Sequence, residues 1–247
     1  MMGLDVPLTP EKKPMIKTYR NLLFDVDDTL LDFGVTRFAS LRSMCEAHAF
    51  PFNDDLYARF NHINEGLWRA FEEGRISQTE VLHSRHVMLF KEYGYEVDGA
   101  LLDETYRRHL AQGFHSIDGA LDLVAELKDH FSLYIVTNGL SDIQDSRLRG
   151  SGLHPHFQGV FVSADTGYQK PHKGFFDHVF ARIPDFSADH TLIIGDSLTA
   201  DIVGGHRAGI DTCWFNPAGK ANHTDVVPTY EIRHYDELRA IVGRAVV

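Results

Sequence analysis

Only two cysteines, Cys45 and Cys213, occur in 247 residues, far apart and in apolar surroundings. That scarcity excludes a disulfide scaffold and the closely spaced pairs of zinc or redox sites, and it fits a reduced, cytoplasmic setting. Positive charge is also short: 24 lysines and arginines stand against 35 acidic residues, a net charge of -11. Such a field repels polyanions, so neither a nucleic-acid polymer nor an anionic membrane is expected as a partner. No apolar run is long enough for a signal peptide or a membrane span, and no repeat or low-complexity tract appears. What is present is ordinary for a folded protein with a buried core: 43% hydrophobic and 24% charged residues. The length allows one large α/β domain, or a core with a smaller inserted lobe. Residues 1–18, with Pro7, Pro10 and Pro14 among charged side chains, read as a loosely ordered tail.

Three short apolar runs end abruptly in polar residues. Asn21 to Phe24 leads into Asp25-Val26-Asp27-Asp28-Thr29, Ser132 to Val136 into Thr137-Asn138-Gly139, and Thr191 to Ile194 into Gly195-Asp196-Ser197. This is the pattern of buried parallel strands feeding loops at the ligand-binding end of an α/β sheet. Helical stripes alternate with them, at Ala120, Leu123, Val124, Leu127 and Phe131, and at Phe175, Phe176, Val179 and Phe180. Asp118 is placed to cap the first of these helices. Weaker strands are expected at Gly159 to Ser163 and Thr212 to Phe215, and a closing helix over Tyr235 to Val246. The fold class is therefore α/β, a mostly parallel sheet with helices on both faces. From 33 to 112 no strand-like run appears. Leu56, Phe60, Ile63 and Leu67, then Leu102, Tyr106 and Leu110, follow helical spacing, which predicts a helical lobe inserted after the first strand. The expected division is a core of 19–32 and 113–247 and a lobe of 33–112. Gly34 and Gly113 at the junctions serve either as hinges or as plain helix terminators.

Asp25 and Asp27, two residues apart beyond a strand end, can place one carboxylate in line with a phosphorus and the other beside the leaving oxygen. A carboxylate attacks a phosphate dianion only if their repulsion is relieved, since two unit charges at ~4 Å interact by about 4 kcal/mol at an effective dielectric of 20. Magnesium supplies that charge and prefers carboxylate, carbonyl and water oxygens. Asp196 is the natural further ligand. Thr137, Asn138 and Lys170 have the chemistry to hold phosphoryl oxygens as charge shifts, with Pro171 stiffening the lysine's turn.

In their order, Asp25-Val26-Asp27-Asp28-Thr29, Thr137-Asn138, Lys170-Pro171, and Gly195-Asp196-Ser197 followed by Asp201 resemble the four motifs of the haloacid dehalogenase superfamily. The resemblance implies a Rossmann-like core with a helical cap of the C1 type. It implies a phosphatase that forms an aspartyl-phosphate at Asp25, with Asp27 as general acid and then base. Asp25, Asp196 and the main-chain carbonyl of Asp27 would bind Mg2+, while Thr29 and Asp201 would act from behind, Asp201 by orienting Lys170 or a metal-bound water. Asn64-Glu65-Gly66-Leu67-Trp68 with Phe71, the Asp-Asp-Thr variant, and Asp201 to Gly205 with Cys213 to Asn216 are similar to the pyrimidine 5′-nucleotidases of that superfamily. That similarity makes a small phosphate ester, a nucleoside 5′-monophosphate, the expected partner, and Asn64, Trp68 and Phe71 the cap residues that meet it. Asp28 departs from the wider pattern, where glycine is common, and Asp118 replaces a common proline.

Blander readings stand beside these. Asp, Thr and Asn at strand ends often serve only as caps and turn formers, and four motifs in order weigh against that reading more than any one does. Asp201 near a helix start could act only on the dipole, and Trp68 and Phe71 could fill a core. His83 and His86 share a helix without the further ligand a metal site needs, and Arg69 and Arg75 fit solvated surface charge. A sugar-phosphate phosphatase, a phosphomutase of the β-phosphoglucomutase kind and a non-catalytic binding or regulatory protein remain as alternatives. Haloacid dehalogenation does not call for an acid at Asp27. The sequence leaves the oligomeric state open.

Overall fold

A computed structural model describes residues 17–243. Most of the expected tail, and the last residues of the expected closing helix, therefore lie outside the described residues. The order of elements is β1 (Asn21–Phe24), α1 (Phe33–Ala47), α2 (Asp54–Glu72), α3 (Gln78–Glu92), α4 (Gly99–Leu110), α5 (Ala120–Leu127), β2 (Ser132–Thr137), α6 (Ser141–Gly150), β3 (Gly159–Val162), α7 (Ser163–Thr166), α8 (Lys173–Phe180), β4 (Thr191–Gly195), α9 (Val203–Ala208), β5 (Asp211–Phe215), β6 (Tyr230–Ile232) and α10 (Tyr235–Gly243). A π-helical turn, Leu198–Ile202, precedes α9. No described helix is long and apolar enough to cross a membrane.

The strands form one sheet in the order β3-β2-β1-β4-β5-β6, every pairing parallel. β1 is buried at all four positions because both its faces are covered, which is why its sequence is a continuous apolar run and not an alternating one. The alternation instead sorts residues between two cores. Leu22, Phe24, Leu133, Ile135, Leu192 and Ile194 pack with α5 and α10 on one face. Leu23, Tyr134, Val136 and Ile193 meet Phe175, Phe176 and Val179 of α8 on the other. Strand order reverses at β1, with β2 on one side and β4 on the other, and the crevice at such a reversal opens at the carboxyl ends of the strands.

β6 escaped the sequence reading. It has three residues, only Ile232 is buried, and it is held at the sheet edge by its register on Cys213, Trp214 and Phe215. Asp118 does not cap α5. Gly119 takes that place with φ 81, a left-handed conformation that a side chain there would strain.

α1 to α4 all lie between β1 and β2 and share an apolar cluster built on Leu41, Met44, Leu56, Phe60, Leu89, Phe90, Leu102 and Tyr106. Each helix starts on a side-chain cap: Asp32, Asn53, Ser77 in a capping box with Glu80, and Asp98. Such caps contribute about 1 kcal/mol each. Beside the cluster, Asp103 is fully buried and accepts from Arg85 Nε at 3.0 Å and Arg107 Nε at 2.6 Å. His86, also fully buried, sits 3.5 Å from the same carboxylate. Burial pushes His86 down to about 4, so it is a neutral core histidine. Burial alone would raise Asp103, but His86 and Arg85 outweigh it and hold its carboxyl at about 2.

Neither junction glycine is a free hinge. Gly34 lies in the first turn of α1, and a Cβ on Gly113 would meet Thr36 Cγ2 at 2.0 Å. Close approach of the returning chain to α1 is what requires glycine at 113. Gly113→Ala should therefore lower the free energy of unfolding by about 1–3 kcal/mol, measured in a urea titration. The folded-state value of His86 lies below its unfolded one, so the unfolded chain binds the extra proton between them and stability falls as pH drops from about 6.5 to about 4. Replacing His86 with Met should remove up to about 3 kcal/mol of that decline, read as the difference in urea midpoint between parent and variant across this window.

Candidate active site

The site forms where β1, β2 and β4 end side by side. Asp25 follows β1, and its N–H continues the sheet by donating to Ile194 O at 2.9 Å, so the sheet itself fixes the position of this residue. The chain then turns tightly, with the N–H groups of Leu30 and Leu31 both reaching Val26 O at 2.8 and 2.9 Å. Asp28 sits in this turn at φ 56. A left-handed conformation there explains why glycine is at home at that slot. Aspartate also tolerates it, and its carboxylate accepts the Phe33 N–H at 3.0 Å.

Lys170 is the hub. It is 1% exposed, and its ammonium makes three hydrogen bonds: to Asp25 Oδ1 at 2.7 Å, Asp201 Oδ1 at 2.6 Å and Val136 O at 2.8 Å. Burial would favour the neutral amine, but Asp201 and Asp25 prevail and raise the group above its ordinary value, so it stays charged. Asp201 is fully buried, and its other oxygen accepts the Ser197 N–H at 3.1 Å. The Lys170 main chain is locked in turn by Asn138, whose side-chain amide donates to Lys170 O at 2.9 Å and accepts Lys170 N–H at 2.8 Å. Asn138 therefore has its main-chain N–H, and not its side chain, to offer a ligand. Thr137 Oγ1 accepts from Gly139 N at 3.2 Å and Gln144 Nε2 at 3.0 Å.

Asp196 is oriented through its backbone: its N–H donates to Thr29 Oγ1 at 3.0 Å, and its carbonyl accepts Trp214 Nε1 at 2.9 Å. Thr29 is itself fixed, its carbonyl accepting the Tyr235 hydroxyl at 2.6 Å. Asp25, Asp196 and Asp201 each present a carboxylate oxygen within 4.8 Å of the others. Burial pushes Asp25 up to about 7 against the pull of Lys170, with Asp201 and Asp27 adding to the rise. Burial, then Asp25 and Asp201, push Asp196 well above the usual carboxylate range. One lysine does not neutralise this cluster, and a hard cation bound by oxygens fits the remaining negative charge. Asp201 already serves Lys170 and Ser197, which leaves Asp25 and Asp196 as the carboxylates that could hold such an ion, a donor set that would suit magnesium.

A cavity of about 270 Å³ opens above these groups, walled on the far side by Asn64, Trp68 and Glu72 of α2 and Arg85 of α3. Phe71 does not line it. Its ring packs edge-on against Trp68 at 5.6 Å, and its carbonyl accepts Gln169 Nε2 at 2.9 Å. Two further bonds join the lobe to the strand-end loops: Thr199 Oγ1 to Glu72 Oε2 at 2.5 Å, and Gln78 Nε2 to Asn138 O at 3.1 Å. Burial of the Glu72 carboxyl pushes it up to about 7.

The sequence reading missed Gln144 and Arg147. Both are buried on α6, and both hold Asp27: Arg147 donates to Asp27 Oδ1, and Gln144 Nε2 to Asp27 Oδ2 at 2.8 Å. A signal existed. Ile143, Gln144, Arg147 and Leu148 form one inward stripe, so two polar residues occupy core-facing positions.

The sequence profile of the haloacid dehalogenase-like hydrolases matches residues 22–215. The chain is 57% identical over 228 residues to the HAD-hydrolase YfnB of Bacillus subtilis, covering 92% of this chain and 97% of that protein. It is 41% identical over 221 residues to the pyrimidine 5′-nucleotidase PynA of Streptococcus pneumoniae, covering 89% and 93%. It is 27% identical over 223 residues to the pyrimidine 5′-nucleotidase YjjG of Escherichia coli, covering 90% and 96%. The crystal structure of YfnB bound to magnesium superposes with a TM-score of 0.89 over 92% of this chain and 99% of that one. The L-2-haloacid dehalogenase of Xanthobacter autotrophicus, at 16% identity and a TM-score of 0.75 over 92% and 99%, shares the fold alone. The match runs from the strand that delivers Asp25 to the one that delivers Trp214, spanning all four chemistry-bearing segments, and the chain belongs to the haloacid dehalogenase-like hydrolase family.

Proposed function

We propose that this chain is a magnesium-dependent phosphomonoester hydrolase working through an aspartyl-phosphate on Asp25, with nucleoside 5′-monophosphates, chiefly pyrimidine ones, as substrates. The observation that carries the chemistry is the arrangement around Lys170. Asp25 stands at the mouth of the sheet with one oxygen on the buried ammonium, Asp196 lies beside it, and Asp27 follows two residues on. The two pyrimidine 5′-nucleotidases among its relatives, at 41% and 27% identity, support the substrate class.

Magnesium held by Asp25, Asp196 and the Asp27 carbonyl would offset the repulsion between a carboxylate and a phosphate dianion. Lys170 aims Asp25 and favours its ionised form against the cost of burial, while the Thr137 hydroxyl and the Asn138 main-chain N–H hold phosphoryl oxygens. Asp201 and Thr29 steady Lys170 and Asp196 from behind. The second oxygen of Asp25 attacks phosphorus, the bond from phosphorus to the nucleoside 5′ oxygen breaks, and Asp27 gives its proton to that oxygen. Asp27 then takes a proton from water as the water oxygen attacks phosphorus. The bond to Asp25 breaks and inorganic phosphate leaves.

The same reading treats 33–112 as a cap over a core of 19–32 and 113–247, supported by the separate apolar cluster of α1 to α4 and by the cavity between lobe and sheet. Asn64 and Trp68 are the residues it assigns to the base, with Phe71 backing the indole. A cytoplasmic setting goes with this assignment.

Asp25→Asn should lower phosphate release by more than about 10³-fold while leaving the thermal melt near that of the parent; retained turnover removes Asp25 as nucleophile. Excess chelator should abolish activity, and added magnesium should restore it. In a panel of nucleoside monophosphates and sugar phosphates, kcat/KM should be highest for pyrimidine nucleotides. A wide margin in favour of sugar phosphates sinks the substrate assignment and spares the chemistry, whereas isomerised sugar phosphate without free phosphate indicates a mutase.

A further inference from the structure

Among the described residues, Arg147 is the largest of the fully buried side chains, at 1% exposure. A buried guanidinium costs several kcal/mol unless it is paired and hydrogen-bonded, so the groups that hold it indicate its task. Its Nε donates to Gly113 O at 2.9 Å, and its plane lies over the Phe33 ring at 5.2 Å. One terminal nitrogen donates to Asp27 Oδ1 and to Gln144 Oε1, the latter at 3.1 Å. The other is buried without a partner among the described residues. Gln144 Nε2 reaches both Asp27 Oδ2 and Thr137 Oγ1, at 2.8 and 3.0 Å.

Two features combine here. Both carboxylate oxygens of Asp27 are held from α6, which fixes the rotamer of that side chain. Phe33 and Gly113, which hold the guanidinium, are the points where the chain leaves the sheet for the helical lobe and where it returns. We infer that Arg147 and Gln144 are positioning residues for Asp27, and that Arg147 couples the placement of that carboxylate to both crossings between sheet and lobe. This rests on the aspartyl-phosphate reading. An arginine that served only to glue the crossings together would have no reason to place its charge on the residue two beyond Asp25.

The inference separates two substrates. In the first step Asp27 protonates the departing oxygen, which a nucleoside alkoxide needs and p-nitrophenolate does not. In the second, water loses its proton to Asp27, its oxygen bonds phosphorus and the bond to Asp25 breaks, identically for either substrate. Since kcat/KM covers events up to departure of the leaving group, Arg147→Met should lower it at least about tenfold for uridine 5′-monophosphate and less than about threefold for p-nitrophenyl phosphate, while kcat falls for both. Arg147→Lys should recover part of the loss, because an ammonium can reach Asp27 but not hold Gly113 O at the same time. Gln144→Leu, which removes one of the donors to Asp27, should show the same split to a smaller degree, and it carries the test if Arg147→Met fails to fold by circular dichroism. Equal losses of kcat/KM with both substrates, or no loss with either, overturn the inference. If the parent hydrolyses neither compound, or Asp25→Asn keeps its rate, the aspartyl-phosphate reading falls and takes this one with it.

Discussion

One ammonium surrounded by more carboxylates than it can neutralise organises the catalytic end of this protein. Buried Lys170 bridges Asp25 and Asp201, while Asp196 stands within reach of both acids. Burial and mutual repulsion lift Asp25 and Asp196 above the ordinary carboxylate range, an excess of negative charge that a divalent cation would offset. The structure tolerates this concentration of charge because every member is fixed from behind. Thr29 and Trp214 hold Asp196, Ser197 holds Asp201, and Asn138 holds the Lys170 main chain.

The sheet makes that fixation possible. β1 lies between β2 and β4 in parallel register, so loops far apart in sequence meet at the switch in strand order. The helical lobe completes the enclosure. Asn64, Trp68 and Glu72 look into the cavity from α2, and hydrogen bonds connect the lobe's edge to the loops that carry Asn138, Gln169 and Thr199. Burial under this roof strengthens the electrostatic contacts made by Lys170 and Asp201, the most deeply buried members of the centre.

Most of the architecture was legible because buried parallel strands and amphipathic helices carry period signals of their own. β1, β2 and β4 were visible as apolar runs ending in polar residues, and the lobe as an unbroken stretch of helical spacing. β6 was not visible, because a three-residue edge strand with one buried position depends on its neighbour and not on its own pattern. Asp118 precedes α5 without capping it, because the chain enters this helix through a left-handed Gly119 and no side chain bonds its first N–H groups. Sequence spacing weighed His86 only as a metal ligand, and packing against Phe60 and Tyr106 from other helices makes it a neutral core residue.

By itself the sequence determined the inner strands, the helical lobe and the chemistry available at each strand end, since these follow from local spacing and residue type. Tertiary structure decided which of those groups touch. It directed Asn138's side chain to the Lys170 backbone, excluded Phe71 from the cavity wall, and brought Gln144 and Arg147 from α6 onto Asp27 across more than a hundred residues of chain. Contacts of that kind leave no periodic trace, because they depend on where a strand ends in space and on which helix packs beside it.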